Sequence, residues 1–415
     1  MNWTGNRFEV EVGAVAHGGH CVARAEGRVL FVRHALPGER VIAEVTEDKG
    51  GSFCRADAVE ILTASPERVE PACALARPGG CGGCDWQHAT PAAQRELKAF
   101  VVAEQLHRLA GLDLKVEVEE LPGGPLGWRS RQRLAVDKAG RAGLRAHRSH
   151  RVLPLAENDG CPISVPDLFG DVLDTAQTPG TELDVVLDDT GQRHVARLEP
   201  LPNRPRQYRT HWLTGGIATQ RAAGRDWHLR ADGFWQVHPA AAQTLADVVA
   251  EYAAVPEGGS AWDLYGGVGL FAAVLAEQAG PTGSVLMVES APSAIEDARR
   301  NLADLPWVRF LTGRVEHVLV DGTDLAAGGE DIEPDVVVLD PPRKGAGRTI
   351  VDAVASERPH RVVYVACDPA ALARDLACFA ENGYRLAELR AFDAFPMTHH
   401  VECVALIERE RGASQ

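Results

Sequence analysis

Cys367 ends a strand-like run, VVYVA, and is followed by Asp368 in the position of a helix N-cap and by Pro369 as a first helical residue. A free thiol ionises near pH ~8.5, and a place just ahead of a helix N-terminus lowers that value, so the spacing suits a reactive thiolate. Asp368 acts in the opposite sense, because a neighbouring negative charge disfavours the thiolate. The segment FPMTHHVE, Phe395 to Glu402, supplies a carboxylate and two histidines. It is expected to form a loop that returns Glu402 to the edge carrying Cys367.

A third element is DLYGGVGLF, Asp263 to Phe271, a strand ending in an acid, then a glycine-rich turn, then a helix. Gly267 and Gly269 let the backbone pass close to a ligand, and the helix offers its N-terminal amides. Glu289 ends the next strand-like run, where an acid binds ribose hydroxyls. No GxGxxG stands in register, so the looser Asp-x-x-x-Gly-x-Gly form favours S-adenosylmethionine over a nicotinamide dinucleotide. Asp340-Pro341-Pro342-Arg343 closes a fourth strand, where the prolines hold the acid at the carboxyl edge of the sheet. An aromatic residue after the prolines would suggest methylation of an exocyclic amine, and Arg343 argues against that chemistry.

A thiolate, a carboxylate and a methyl donor together describe one reaction. Position 5 of a pyrimidine is a poor nucleophile, but a thiolate added at position 6 creates an enolate-like species that can take up a methyl group. A base then removes the hydrogen at position 5 so that the thiol can leave. Cys367 and Glu402 suit those roles. Uracil needs donors to its carbonyl oxygens and cytosine a protonation partner at N3, and the residues so far leave both open.

These groups must be held by regular elements. From residue 258 onward strand-like runs (Ser260 to Tyr265, Ser284 to Glu289, Val308 to Thr312, Asp335 to Asp340, Arg361 to Ala366, Arg385 to Ala391, Val401 to Glu408) alternate mostly with helical ones, which predicts a doubly wound sheet with a parallel core. Residues 8 to 62 alternate like short strands between glycine turns and predict a small closed β-barrel. Thr90-Pro91 opens a helix running to about residue 111, and residues 112 to 230 read as short strands with basic connections.

The chain has 415 residues and a net charge of −15, yet the charge is segregated. From Arg129 to Arg151 eight basic residues face one acid, and from Asn203 to Arg230 six face one, a pattern that favours a nucleic-acid track. Cys73, Cys81 and Cys84 crowd together among nine cysteines, which reads as metal chemistry in a reducing cytoplasm. No basic-then-apolar leader or apolar run of membrane length is seen, so a cytoplasmic protein is expected, with no membrane contact and no obligate protein partner.

In FWQVHP (Phe234 to Pro239), DLYGGVGLF, DPPRKG, YVACDP and FPMTHHVE, in this order, the chain resembles the RNA 5-methyluridine methyltransferase family over nearly its whole length. The resemblance implies a multidomain chain: a TRAM-type RNA-binding barrel over 1–62; an α+β central domain over 63–230 with a metal cluster, whose helix 91–111 packs on the catalytic domain; and a Rossmann-like methyltransferase domain over 231–415. It implies Cys367 as nucleophile and Glu402 as base, with Gln236, Tyr265, Glu289 and Asp340 touching the cofactor or the reacting base. Cys73, Cys81, Cys84 and Cys161 fit either zinc or a [4Fe-4S] cluster by their thiols, and the resemblance implies the cluster, in a structural role. Among RNA substrates it favours 23S ribosomal RNA over transfer RNA. A cytosine enzyme would commonly carry a cysteine after a proline in the fourth-strand motif, and none stands there. Asp368 and His238 replace the asparagines usual in the family, Leu270 replaces a polar residue, and the Cys73 to Cys81 spacing is two residues longer.

Overall fold

The computed structural model describes residues 2–202, 204–321 and 333–410. Strands β1 (Arg7–Glu11), β2 (Cys21–Ala25), β3 (Arg28–Arg33), β4 (Arg40–Glu47) and β5 (Phe53–Thr63) pair in the order β1-β4-β5-β3-β2. The chain beyond β1 closes the barrel on β2, since Gly13 N–H donates to Val22 O (2.7 Å) and Val22 N–H to Ala14 O (2.9 Å). Alternation fills the interior with Val10, Leu30, Val32, Val41 and Ala43, all under 5% exposed. Trp86 seals one side and donates its indole N–H to Gly19 O (3.0 Å).

Helix α1 (Pro91–Ala110) begins as the sequence indicates, with Thr90 Oγ1 accepting from Ala93 N–H and a proline in the first turn, and it stops at Gly111, whose φ is 67°. Its inner face carries Val102 and Leu106 onto the C-terminal sheet. Strand β6 (Val118–Glu120) also joins that sheet.

Strands β7 (Arg131–Val136), β8 (Ala142–Arg145), β9 (Val152–Pro154), β10 (Glu182–Leu187), β11 (Arg193–Leu201) and β12 (Arg204–Thr214) form an antiparallel sheet, followed by the hairpin β13 (Ile217–Ala222) and β14 (Arg225–Arg230). Among the described residues from 112 to 230 there is no α-helix, only strands and two 3₁₀ turns. The helix of the 63–230 unit is therefore α1, which packs its apolar face on the C-terminal sheet, and its remaining described elements are strands and 3₁₀ turns.

The remaining strands are β15 (Ser260–Leu264), β16 (Ser284–Glu289), β17 (Val308–Thr312), β18 (Val336–Leu339), β19 (Arg361–Ala366), β20 (Tyr384–Asp393) and β21 (Glu402–Arg409). They are interleaved with helices α2 (Ala241–Ala253), α3 (Leu270–Ala279), α4 (Pro292–Asn301), α5 (Val315–Asp321), α6 (Arg348–Ser356) and α7 (Pro369–Glu381). The sheet order is β17-β16-β15-β18-β19-β21-β20-β6; β15 to β19 pair in parallel, and β21 inserts antiparallel between β19 and β20. Ala261, Val285 and Val363 face α2, α3 and α4 on one side, whereas Trp262, Leu286 and Val362 face α1, α5, α6 and α7 on the other. Burial on both faces explains why these strands read as continuous apolar runs. No helix among the described residues is long and apolar enough to cross a membrane.

Candidate active site

The strand order reverses between β15 and β18, so their carboxyl ends open a crevice at the switch point. The chain leaves β15 through Tyr265, held at φ 70°, and reaches α3 through Gly269 at φ 94°. A non-glycine residue in the left-handed region costs about 1–2 kcal/mol, so the Tyr265 conformation is imposed by its surroundings. Its amide donates to Val288 O (3.0 Å). A Cβ on Gly266 would lie 2.7 Å from Met287 and 2.9 Å from Asp263 Oδ2, which makes glycine necessary there.

This turn borders a cavity of about 450 Å³ lined by Phe234, Tyr265, Gly267, Glu289, Asp340 and Pro341, among others. Glu289 accepts from Gly267 N–H (3.2 Å) and Ala291 N–H (2.7 Å), which ties the first two βα turns together. Two polar atoms beside the cavity are buried without partners, the Tyr265 hydroxyl and Asp263 Oδ1. Burial, then Asp340, pushes the Asp263 carboxyl up to about 8, and burial, then Glu289, pushes Asp340 up to about 7. Gln236, half-buried two residues after the exposed Phe234, does not line the cavity. His238 is buried, stacks 6.0 Å from Trp128, and accepts from Ala240 N–H (3.1 Å).

Cys367 directly follows the last residue of β19, and Glu402 begins the neighbouring β21. Ala366 pairs with Cys403, so Cys367 and Glu402 are the next residues outward and oppose each other. Glu402 is the first residue of β21, inside the expected strand run from Val401, and it pairs with Phe392 on β20. Glu402 is 4% exposed, and burial, reinforced by Asp340 and opposed by Arg343, holds its carboxyl well above the usual range. Burial, then Glu402 and Asp340, pushes the Cys367 thiol up to about 12, with Arg343 pulling the other way. The thiol opens on a second cavity of about 160 Å³, lined also by His17, Trp86, Arg343, Asp368 and His400.

The loop before Glu402 is held from the N-terminal half of the chain. Met397 O accepts from the amides of Asp85 (2.9 Å) and Trp86 (3.0 Å), and its N–H donates to Gln94 Oε1 (2.8 Å). Asp85 Oδ2 bonds both the amide (3.1 Å) and Nδ1 (2.6 Å) of His399. Lys98, wholly buried, pairs with Asp393 and donates to Phe395 O (3.1 Å). The DPPRKG turn is fixed by Asp375 on α7, whose Oδ2 accepts from Ala346 N–H (2.8 Å) and the Tyr364 hydroxyl (2.5 Å). Sequence reasoning missed all of these anchors. One signal was available: Asp375 interrupts the apolar stripe Leu372, Leu376, Phe379 on the inner face of its helix.

Cys73, Cys81, Cys84 and Cys161 wall a third cavity, of about 110 Å³, together with Arg129 and Gln132. Burial, with the other thiols adding to it, pushes Cys84 up to about 12. Among the described residues no group of three or more His, Cys, Asp or Glu is arranged to hold a metal ion. The basic runs are also less free than their spacing implies, because Arg133, Arg141, Arg145, Arg148 and Arg225 are paired with acids.

The model of the tRNA (Uracil-5-)-methyltransferase family matches residues 219–410, and that of the TRAM domain matches residues 3–59. An uncharacterized RNA methyltransferase of Streptomyces avermitilis is 48% identical, over 97% of this chain and 98% of its own. The 23S rRNA (uracil(1939)-C(5))-methyltransferase RlmD of Alkalilimnicola ehrlichii is 33% identical, over 97% of each chain. Among solved structures, the Pyrococcus abyssi tRNA (uracil-54, C5)-methyltransferase in complex with S-adenosyl-L-homocysteine shares the fold with a TM-score of 0.70 at 24% identity, covering 96% of this chain and 100% of that one. With its glycine turn, DPPR edge and facing Cys367 and Glu402 on a sheet preceded by a TRAM domain, the chain belongs to the uracil-C5 RNA methyltransferase family.

Proposed function

We propose that the protein methylates C5 of a uridine in RNA, with 23S ribosomal RNA as the substrate and S-adenosylmethionine as the donor. The observation that carries this reading is the register that opposes Cys367 and Glu402 beside the cavity lined by Tyr265, Glu289 and Asp340. The residues around that cavity fit the donor: an orphaned Tyr265 hydroxyl, a carboxylate at the end of β16, and buried acids whose ionisation a cationic sulfonium would favour. When bound, the donor supplies the methyl group. Tyr265, Glu289 and Asp340 hold it, with Gln236 assigned to the same machinery from its motif. Cys367 adds its sulfur to C6 of the uracil, which loads C5 with the electron pair that forms the new carbon–carbon bond. Glu402 then takes the C5 hydrogen as a proton, and the Cys367 sulfur leaves with its bonding pair as C5=C6 re-forms. The nucleotide is flipped out of its loop so that the thiol and the methyl donor reach it.

In this reading residues 1–62 bind RNA, 63–230 form the central unit, 231–415 catalyse, and the protein works in the cytoplasm. Cys73, Cys81, Cys84 and Cys161 hold a [4Fe-4S] cluster rather than zinc. Four thiols around a shared space of 110 Å³ suit a polynuclear group better than one ion, and the group braces the fold without entering the reaction. Anaerobic purification followed by iron and sulfide analysis tests this, and stoichiometric zinc overturns it. The reaction is tested by incubating the anaerobic protein with methyl-labelled donor and separate unmodified ribosomal and transfer RNA, followed by nucleoside mass spectrometry. Labelled 5-methyluridine in ribosomal RNA is expected. Label confined to transfer RNA overturns the substrate, label in 5-methylcytosine overturns the base, and no label overturns the reaction.

A further inference from the structure

A tight turn of the barrel touches the catalytic domain. Ala16 to His20 fold back through Gly18 and Gly19, and Gly19, at φ 80°, lies so close to the catalytic loop that a Cβ there would sit 2.6 Å from His399 Cβ. Trp86 fixes the same glycine through its carbonyl. The turn thereby brings His17 into the wall of the Cys367 cavity, where its Nε2 bonds Asp368 Oδ2 at 3.0 Å. The other carboxylate oxygen of Asp368 accepts from Ala371 N–H (2.8 Å) and caps α7. Asp368 is thus a fixed acid beside the thiol, with a barrel histidine as its partner.

We infer that His17 is a positioning residue for Cys367: by placing a proton donor on Asp368, the barrel offsets the negative charge beside the thiol and makes it easier to ionise. This rests on reading Cys367 as the attacking group. The charged groups acting on Cys367 are Glu402, Asp340 and Asp368, which oppose its ionisation, and Arg343, which assists it, and His399 and His400 of the preceding loop line the same cavity. Those facing His17 are Asp368 and Glu104, which favour its charged form, and Arg374, which opposes it. The hydrogen bond to Asp368 is the largest influence, and it raises the histidine above its ordinary value although burial works against it. The charged form of His17 is thus favoured over that of a free imidazole and is lost as the pH rises, so its help to the thiol fades in the alkaline range.

The test reads thiol acidity directly, by the rate at which iodoacetamide alkylates Cys367 in the anaerobic full-length protein, followed on the Cys367 peptide by mass spectrometry. In the native protein the logarithm of the rate should climb with less than unit slope through the titration of His17. In His17→Ala it should climb with unit slope and lie about three- to fivefold lower at about pH 6, as a partly exposed ion pair allows. In Asp368→Asn the native rate is exceeded, and adding His17→Ala to it changes nothing further. A histidine that merely docks the barrel would give the opposite result: its loss exposes Cys367, speeds alkylation at every pH, and does so equally in the Asp368→Asn background. That outcome, or equal rates in the native and His17→Ala proteins at about pH 6, overturns the inference. Neither depends on turnover, so a failure of the proposed reaction is recognised separately, by the fate of label in RNA.

Discussion

Cys367 and Glu402 face each other one register step beyond the Ala366–Cys403 pair, at the ends of antiparallel neighbours in an otherwise parallel sheet. The insertion of β21 between β19 and β20 is what creates this opposition, since a parallel neighbour would have ended in a βα turn. Replacing Glu402 by Gln keeps the shape and removes the carboxylate proposed as the base. The Glu402→Gln protein is expected to accumulate a covalent RNA adduct, visible as a denaturant-resistant shifted band, whereas Cys367→Ala yields neither adduct nor product. A Glu402→Gln protein that turns over at the native rate would assign the base elsewhere.

The buried acids at the same edge carry a stability signature. Asp263, fully buried, has its carboxyl pushed up to about 8 by burial and by Asp340, so in the folded state it keeps its proton where the unfolded chain has lost it. Its contribution to stability is complete below about pH 4 and is lost as the pH rises to about 8. The ligand-free protein should therefore melt lower at pH 8 than at pH 5, by an amount on the order of 5 °C, and Asp263→Asn should flatten that dependence. Scanning calorimetry across this range checks both. An unchanged slope in the variant would mean that Asp263 is ionised throughout.

Much of this arrangement was legible in the chain. Strands such as Ser260–Leu264 and Arg361–Ala366 are buried on both faces, so their apolar runs announce them, and the glycine turn, Glu289, Asp340 and Cys367 follow at their carboxyl ends. The apolar run from Val401 likewise announces β21, whose first residue is Glu402. The motif FWQVHP does not say which of its side chains meets the cavity, and in the irregular segment before α2 it is Phe234 that lines it. Strand β6 and the contacts Gly19 to His399 and His17 to Asp368 join segments far apart in the chain, and no local periodicity encodes them.

The Lys98–Asp393 pair shows how such a long-range contact works on the site. Both side chains are nearly inaccessible, and the ammonium also holds Phe395 O at the start of the loop before Glu402. Removing one partner strands the other charge in the interior, at a cost of about 3–5 kcal/mol. Lys98→Met should lower the unfolding free energy by this amount in a urea titration. Lys98→Met combined with Asp393→Leu should recover most of it while leaving the loop without its anchor. If the double variant is as unstable as the single one, the loop bond to Phe395 O, and not the stranded carboxylate, dominates.

Asp375 fixes the DPPRKG turn in a different way, by gathering the Ala346 and Gly347 amides and the Tyr364 hydroxyl around one carboxylate. Gly345 must be glycine for this, because a Cβ there would lie 2.7 Å from Asp375 Oδ2 and its φ is 84°. Asp375→Ala takes the acceptor from the Gly347 amide and the Tyr364 hydroxyl, leaves Ala346 N–H only its bond to the Tyr364 oxygen (3.0 Å), and frees the turn that carries Asp340 and Pro341 into the cavity proposed for the donor. Each orphaned donor costs about 1–3 kcal/mol, so a loss of roughly tenfold or more in affinity for S-adenosylhomocysteine is expected by calorimetric titration. Asp375→Asn, which retains an acceptor oxygen, should lose less. Equal affinity in Asp375→Ala and the native protein would show that the turn is held by its prolines alone.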